Sequence, residues 1–329
     1  FERLAKRTGK TVFCNSGFEA VEAALKTAHL ATGRTKIIAF ERAYHGLGYG
    51  SLNATWRSEF RSPFRRQLGE FASFVPFPEA KVDLAKLEKQ LNSECRRQKI
   101  GAILVEPIQG RGGTNIPPAG FLKLLRKICN KHGALLICDE VYTGFGRTGR
   151  WFASEHFGVV PDVICLGKAL TGGFPLSACV GRADVMDRAW PESEGEAIHT
   201  STFLGHPVGC AMALSSLREL EVKKLVTCSA DMGEHFLTEL RRLAKRLGQA
   251  RCRPRGLGLM LALELFDEGK PAEAIALTVT KRLLAEGFIL LPEGEPANIL
   301  SITPPLTVGK THIARFTRAL GQALEDAYA

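Results

Sequence analysis

The sequence predicts an α/β protein with a mostly parallel central sheet flanked by helices, followed by a small C-terminal α+β domain. Three observations support this prediction. Helical and strand patterns alternate through the first two thirds of the chain, as in sheets covered by helices on both faces. Several strand segments are continuous apolar runs, which are typical of fully buried strands. With 329 residues and 45% hydrophobic content, the chain can form a large core and a smaller one.

The elements of the first part are predicted from periodicity and from the residues at their ends. A helix over residues 118–132 has a proline at its start and Gly133 just beyond its end, where these residues are common. In chain order we predict a helix over 19–32, a strand over 36–40, a helix over 83–92, a strand over 100–105, the helix over 118–132, strands over 134–138, 163–166 and 177–181, and helices over 207–221 and 229–248.

The remaining chain predicts the small α+β domain. Its elements are a strand over 257–265, a helix over 272–286, strands over 288–291 and 298–302, and a last helix over 310–328. We therefore predict a large cofactor-binding domain over residues 1–225, and a linking helix with the small domain over 226–329. The chain shows no internal repeat and no low-complexity tract.

Composition favours a soluble cytoplasmic protein. The nine cysteines are scattered, odd in number and never in a Cys-x-x-Cys pair, which indicates reduced thiols. No apolar stretch is long enough to cross a bilayer, and the first residues lack the apolar run of a secretory signal, so no membrane partner is expected.

The net charge of +10 could attract nucleic acid or small anions. The densest basic cluster contains Arg57, Arg61, Arg65 and Arg66. No recognised nucleic-acid motif accompanies the charge, so we expect no nucleic-acid partner. We interpret the cluster as a solvated face or an interface.

Lys168 is the residue whose position most clearly predicts covalent chemistry. It follows an apolar strand and precedes a glycine-rich turn, where an amine kept from water could form a Schiff base with an aldehyde cofactor. A surface lysine is the general alternative, because lysine is seldom buried. A phosphate-binding nucleotide loop is excluded, since Asp162 stands where its first glycine belongs and Ala169 where Ser or Thr must reach magnesium.

Two carboxylates also follow predicted strands. In such sheets, ligands bind beyond the carboxyl ends of strands, so we expect Glu106, Asp139 and Lys168 to share one site. Asp139 could pair with a pyridinium nitrogen, which would keep the ring able to accept electrons. A helix cap or loop acid is the alternative.

Seven motifs, in order along nearly the whole chain, resemble those of the class III aminotransferases. These are pyridoxal-phosphate enzymes of fold type I, and they include ornithine, acetylornithine and 4-aminobutyrate aminotransferases. The motifs are Val12-Phe-Cys-Asn-Ser-Gly-Phe-Glu-Ala-Val-Glu22, Tyr44-His-Gly46, Val105-Glu-Pro-Ile-Gln-Gly110, Asp139-Glu-Val-Tyr-Thr-Gly-Phe-Gly-Arg-Thr-Gly149, Leu166-Gly-Lys-Ala-Leu-Thr-Gly-Gly173, His199-Thr-Ser-Thr-Phe203 and Arg255-Gly-Leu-Gly258.

The resemblance implies pyridoxal phosphate as cofactor, no metal, and a homodimer with the active site at the subunit interface. Lys168 would form the Schiff base and then move a proton between substrate and cofactor. Asp139 would pair with the pyridine nitrogen, supported by Glu106. Tyr44 would stack on one ring face and Val141 on the other, although a core aromatic and a core valine are simpler interpretations of these two.

The resemblance also implies a phosphate site. Ser16 and Gly17 would bind the phosphate at a helix start, through backbone N–H groups and a hydroxyl. Thr202 would reach the phosphate of the neighbouring subunit. Phe18 and His45 lie within the matched motifs and are included among the cofactor-binding residues.

Four residues depart from the family pattern. Phe18 replaces a Ser or Thr, so one phosphate hydroxyl is lost. Tyr142 replaces a Gln near the phenolic oxygen of the cofactor, and its hydroxyl can donate the same hydrogen bond. Arg111 replaces a Glu that gates a substrate-binding arginine, and Ser301 replaces that arginine.

We hypothesise that the last two departures are coupled, and that Arg111 binds the substrate carboxylate. A solvated loop arginine is the alternative. In the family a long segment precedes the position of Val12, and here only eleven residues do, so we expect that segment to be absent.

The sequence thus predicts an aminotransferase that moves an amino group from an amino acid or ω-amino acid to an oxo acid such as 2-oxoglutarate or pyruvate. The alternatives are a related aminomutase or decarboxylating enzyme, and a weakly active or regulatory homologue. A nucleic-acid-binding module is the alternative from a different class.

Overall fold

The computed structural model describes residues 1–79 and 84–329. These residues form two compact units. One contains Phe1–Ile108, Ile116–Gly144 and Phe152–Glu219, and the other contains Gln109–Asn115, Phe145–Trp151 and Leu220–Ala329. Two short segments of the chain therefore belong to the second unit, although the residues before and after each of them belong to the first.

The first unit is built on a seven-stranded sheet. Its strands are β1 (Gly9–Cys14), β2 (Lys36–Phe40), β3 (Ala72–Val75), β4 (Ile100–Val105), β5 (Leu135–Asp139), β6 (Val163–Leu166) and β7 (Ser177–Arg182). The spatial order is β1-β7-β6-β5-β4-β2-β3. β7 is antiparallel to both of its neighbours, and the other described pairs are parallel. The predicted α/β class with a mostly parallel sheet is confirmed.

The burial of each strand explains whether it could be predicted from the sequence pattern. All residues of β4, β5 and β6 are buried, and these strands are continuous apolar runs apart from the last residue of β5. β1 and β3 lie at the two ends of the sheet and are partly exposed, and their mixed sequences had predicted no strand. β5 includes Asp139 as its last residue, whereas the predicted strand ended one residue earlier.

The first unit has eight α-helices among its described residues. They are α1 (Glu2–Ala5), α2 (Gly17–Thr32), α3 (Tyr49–Ala54), α4 (Ser58–Arg61), α5 (Leu84–Arg97), α6 (Phe121–His132), α7 (Ala183–Ala189) and α8 (Pro207–Val222), which runs on into the second unit. Apolar side chains of α2 and α7 cover one face of the sheet, and those of α5 and α6 cover the other. The helix predicted over 83–92 begins outside the described residues.

Capping residues determine where the helices begin and end. α2 and α6 end at Gly33 and Gly133, which adopt left-handed φ values of 66° and 63°. α2 begins two residues earlier than predicted, because the Glu19 carboxylate accepts hydrogen bonds from the N–H groups of Asn15 (2.7 Å) and Ser16 (2.9 Å).

The second unit packs helices on an antiparallel sheet. Its elements are α9 (Leu225–Leu247), β8 (Cys252–Leu257), β9 (Met260–Asp267), β10 (Lys270–Pro271), α10 (Glu273–Ala285), β11 (Leu291–Glu293), β12 (Ile299–Ile302) and α11 (Lys310–Ala327). The strand order is β10-β9-β12-β11, and β8 also pairs with β9. Side chains from all three helices share one apolar core with the sheet.

Two strand predictions for this unit were wrong. The single strand predicted over 257–265 crosses the hairpin turn between β8 and β9, with its first residue in β8 and residues 260–265 in β9. The hairpin turns at Gly258, where φ is 54° and a Cβ would lie 2.3 Å from the carbonyl carbon of Thr148. The strand predicted over 288–291 starts only at Leu291, because β11 forms where Leu291–Glu293 pair with Ser301–Ile299.

Candidate active site

Six strands end at the same edge of the first unit's sheet. All strands of this sheet except β7 run in one direction, so their carboxyl ends lie together, which is where ligands bind in open α/β sheets. The predicted site residues that lie at or shortly after these ends are Ser16, Gly17, Tyr44, His45, Glu106, Asp139 and Lys168.

Close backbone packing joins three of these strand ends. A Cβ built on Gly17 would lie 2.7 Å from Cγ1 of Val141. One built on Gly167 would lie 3.3 Å from the same methyl group and 3.7 Å from the Cα of Gly17. The hydroxyl of Ser177 donates to the carbonyl of Ser16 at 2.5 Å. The two glycines therefore permit the ends of β1, β5 and β6 to approach each other.

Asp139 is buried and held by two donors. His45 Nδ1 lies 2.8 Å from its Oδ2, and the N–H of Val141 donates to its Oδ1 at 3.1 Å. An ionised carboxylate only accepts hydrogen bonds, so Nδ1 carries the proton of this pair. His45 Nε2 is buried and has no hydrogen-bond partner among the described residues. The sequence indicated His45 without a specific role, and the structure shows that it orients Asp139.

Tyr44 and Glu106 form a second contact at this edge. The N–H of Tyr44 donates to Glu106 Oε1 at 3.0 Å, and Glu106 is 7% exposed. The Tyr44 ring packs edge-on against Phe60, with centroids 5.8 Å apart. Glu106 thus holds the residue that precedes His45, which in turn binds Asp139.

The start of α2 has the features of an anion site. The Ser16 hydroxyl is buried and has no hydrogen-bond partner in the described part of the chain. The first N–H groups of this 16-residue helix lie beside it, and the helix dipole favours negative charge there. Phe18, the second residue of the helix, is 39% exposed.

Lys168 opens a short 3₁₀ turn at the end of β6 and is exposed, although the sequence had predicted an amine kept from water. Its backbone adopts a φ of 38°, which is unfavourable for a residue with a side chain. Its Nζ lies 4.9 Å from the centroid of the Tyr142 ring. The turn therefore directs the amine towards the segment that follows Asp139.

The sequence did not indicate a role for Glu140. This side chain is fully buried and accepts hydrogen bonds from Thr143 Oγ1 (2.6 Å) and from the N–H groups of Ala153 (2.7 Å) and Ser154 (2.8 Å). Burial raises its pKa, and these hydrogen bonds oppose the rise. Glu140 therefore connects the segment that carries Val141 and Tyr142 to the backbone of residues 153 and 154.

Thr202 lies in an exposed turn near the start of α2. Asn15 Nδ2 lies 3.4 Å from Ser201 Oγ, and Lys26 Nζ lies 3.1 Å from His199 Nδ1. Burial and the nearby Lys26 ammonium lower the pKa of His199, so its neutral ring accepts the lysine hydrogen bond.

Arg111 and Ser301 belong to the second unit. The Arg111 Nε lies 3.7 Å from Oε2 of buried Glu293, and the N–H of Gly294 donates to the Arg111 carbonyl at 3.2 Å. Arg255 donates to the Gly113 carbonyl at 2.6 Å, so the segment that carries Arg111 is anchored within this unit. Ser301 is buried on β12.

Within residues 1–79 and 84–329, no cluster of three or more His, Cys, Asp or Glu side chains is suited to a metal ion. In the same residues, no helix has the length and apolar character of a membrane span.

Comparisons with known proteins agree with this arrangement. The family model "Aminotransferase class-III" matches residues 2–324. The acetylornithine aminotransferase of Methanosarcina mazei is 38% identical over 325 residues, which cover 98% of this chain and 75% of that protein. The 5-aminovalerate aminotransferase of Pseudomonas aeruginosa is 36% identical over 345 residues, which cover 99% and 78%. A solved transaminase from the marine bacterium Virgibacillus superposes with a TM-score of 0.90 at 28% identity, covering 99% of this chain and 78% of that one.

The chain belongs to the class-III aminotransferases, as the motifs predicted. It spans about three quarters of the length of these relatives. Class-III aminotransferases depend on pyridoxal phosphate, and this protein is a pyridoxal-phosphate-dependent enzyme that transfers amino groups from amine donors to oxo-acid acceptors.

The residues at the sheet edge fit this cofactor. A buried hydroxyl that has no partner among the described residues lies at a helix start, which suits a phosphate. A buried carboxylate oriented by His45 suits a protonated ring nitrogen. Lys168 supplies an exposed amine on the strand next to Asp139.

Proposed function

We propose that this edge is the cofactor site and that Lys168 is the residue that binds pyridoxal phosphate covalently, as a Schiff base. One observation carries the proposal. The buried Asp139 ends β5, and the amine of Lys168 follows the adjacent β6, so an acid and an amine of the required types lie on neighbouring strands. When bound, the cofactor supplies an aldehyde that condenses with amines and a ring that takes up electrons from the substrate carbon.

Different residues of the chain would then bind the cofactor and move the proton. Asp139 keeps the ring nitrogen protonated, and His45 holds the Asp139 carboxylate in place. The Ser16 hydroxyl and the first N–H groups of α2, including that of Gly17, bind the phosphate. Lys168 Nζ moves a proton at the carbon that carries the amino group.

Residues around the ring would shape the site further. Glu106 fixes the backbone of Tyr44, whose ring would cover one cofactor face, and Val141 would pack on the other. The Tyr142 hydroxyl would donate a hydrogen bond to the phenolic oxygen. Phe18 would shield the phosphate end without supplying a hydroxyl.

The central test is Lys168→Ala. We expect it to abolish amino transfer and to remove the lysine label that borohydride reduction of the holoenzyme leaves, which mass spectrometry locates. Lys224→Ala is a matched control, because Lys224 is another lysine with a left-handed backbone, at a φ of 51° in the second unit. Amino transfer by Lys168→Ala, or a label on another lysine, would refute the assignment.

We also propose that Arg111 recognises the donor's carboxylate, which would make the donor an amino acid or ω-amino acid and the acceptor an oxo acid such as 2-oxoglutarate or pyruvate. Acetylornithine and 5-aminovalerate, after which two relatives are named, each carry an amine and a carboxylate. Arg111 is 43% exposed at its side chain, so it is accessible to solutes. Arg111→Ala should raise the KM of carboxylate donors far more than that of plain amines, and equal effects would contradict the proposal.

We further propose a cytoplasmic homodimer in which Thr202 reaches the partner's phosphate site. Free thiols support the compartment, since all nine cysteines are unpaired. Exposed apolar side chains near Thr202, including Phe203 (62%) and Val208 (50%), support an interface. Mixing Thr202→Ala and Lys168→Ala subunits should restore activity, because each mixed dimer has one intact site. No recovery in verified mixed dimers would contradict this.

We propose that the large cofactor domain comprises residues 1–225 and the small C-terminal region residues 226–329. Limited proteolysis near the boundary, followed by a test of cofactor retention by the N-terminal fragment, would examine this division.

A further inference from the structure

In the part of the chain that the structure describes, the Lys168 amine lies against the ring of Tyr142. Its Nζ lies 4.9 Å from the ring centroid, within the range of a cation–π interaction. Among residues 1–79 and 84–329, the ammonium has neither a hydrogen-bond acceptor nor a carboxylate partner. The aromatic face is therefore the group that determines where this amine rests.

The backbone of Lys168 is defined more tightly than its side chain. The N–H of Leu170 donates to the Gly167 carbonyl at 2.9 Å, and the N–H of Gly172 donates to the Lys168 carbonyl at 3.3 Å. The side chain itself is exposed and has four rotatable carbon bonds, so it would otherwise sample many rotamers.

Tyr142 is held on both sides by buried carboxylates. The N–H of the preceding Val141 donates to Asp139 Oδ1 at 3.1 Å. The hydroxyl of the following Thr143 donates to Glu140 Oε2 at 2.6 Å. The ring is therefore presented by a turn that is fixed before any ligand binds.

We propose that the face of Tyr142 positions the Lys168 ammonium whenever this amine is not covalently engaged. The inference rests on the proposed role of Lys168 as the cofactor-binding lysine. By restricting a long and flexible side chain, the ring keeps the amine at the end of β6, the strand adjacent to the one that Asp139 ends. Tyr142 is then a positioning residue through its ring, and this role is separate from any hydrogen bond of its hydroxyl.

Three substitutions separate the ring from the hydroxyl. Tyr142→Phe keeps the aromatic face and removes the hydroxyl. Tyr142→Gln removes the face and keeps a hydrogen-bond donor, and Tyr142→Leu provides a second variant without the ring in case the glutamine variant does not fold. Circular dichroism checks the fold of each apoprotein.

The first measurement uses NMR of the apoprotein labelled with ¹³Cε-lysine, with Lys168→Ala to assign the Lys168 signal. In the wild type and Tyr142→Phe, ring current should shift this signal upfield of the other lysines. In Tyr142→Gln and Tyr142→Leu it should move to their range. An unshifted signal in the wild type, or an upfield signal in both ringless variants, would overturn the proposal.

The second measurement is the rate at which apoprotein takes up pyridoxal phosphate, followed by absorbance. Loss of an exposed cation–π contact should slow uptake about two- to fivefold in both ringless variants, while Tyr142→Phe should stay near the wild-type rate. Slowing in Tyr142→Phe as large as in the ringless variants would overturn the ring's role. A failure of the proposed role of Lys168 as the cofactor-binding lysine would be recognised separately. In that case Lys168→Ala would keep the borohydride label, whatever the NMR spectra show.

Discussion

Gly17→Ala tests the close approach of strand ends on which the proposed cofactor site depends. The added Cβ would lie 2.7 Å from Cγ1 and 3.4 Å from Cγ2 of Val141. Carbon atoms normally approach no closer than about 3.5 Å, so either Val141 or the start of α2 must move. Overpacking of this kind costs about 1–3 kcal/mol, and the lower helix entropy cost of alanine offsets up to about 1 kcal/mol.

A double-mutant cycle with Val141→Ala isolates the clash. Removing both Val141 methyl groups leaves Val141 Cβ as the nearest remaining contact, at an ordinary 3.7 Å. The effect of alanine on the helix appears in both backgrounds and cancels in the cycle. We therefore expect a coupling free energy of about 1–2 kcal/mol, with Gly17→Ala less harmful when Val141 is already alanine.

Urea-induced unfolding of the four apoproteins measures this coupling, and titration with pyridoxal phosphate measures its effect on the site. Gly17→Ala should also weaken cofactor binding, because Val141 would be displaced towards the proposed ring site, and Val141→Ala should recover part of that loss. Additive unfolding free energies within about 0.3 kcal/mol would show that these strand ends do not pack as described.

Three further predictions concern buried polar groups. His45→Leu should lower the free energy of unfolding by about 2–3 kcal/mol, because it removes a donor to a buried carboxylate. His45→Asn should lose less stability, because its amide can replace Nδ1. Equal losses of the two variants in urea unfolding would contradict this. Burial raises the pKa of Glu140, so the stability that its proton contributes is present below pH 4.5 and is lost as pH rises through the folded pKa. Glu140→Gln should therefore destabilise the protein more at pH 4.5 than at about pH 7.5, and a pH-independent difference in unfolding free energy would argue against this. Burial raises the pKa of Cys14 and Cys179 to about 12. A thiol reagent at about pH 8 should therefore modify Cys210 and Cys228 first, and should react with Cys14 and Cys179 only after unfolding. Peptide mapping identifies the modified cysteines.

The family, the type of reaction and most of the central sheet were predictable from the sequence. β4 and β6 were predicted with their observed bounds, because strands buried on both faces must be continuous apolar runs. The ends of α2 and α6 were predictable because a helix needs a left-handed residue after its last turn, and glycine adopts that conformation cheaply. Motif order along the chain identified the cofactor, and five of the seven motifs lie at or shortly after strand ends of the first unit's sheet.

The way in which those strand ends meet was not predictable from local sequence patterns. His45 and Asp139 are 94 residues apart, and no local pattern predicts that one orients the other. The exposure of Lys168 and its contact with the Tyr142 ring follow from the turn after β6 and from the carboxylates that hold residues 141 and 143. Periodicity reports whether a residue faces a core, whereas partners across different loops depend on strand order and register, which are long-range properties of the folded chain.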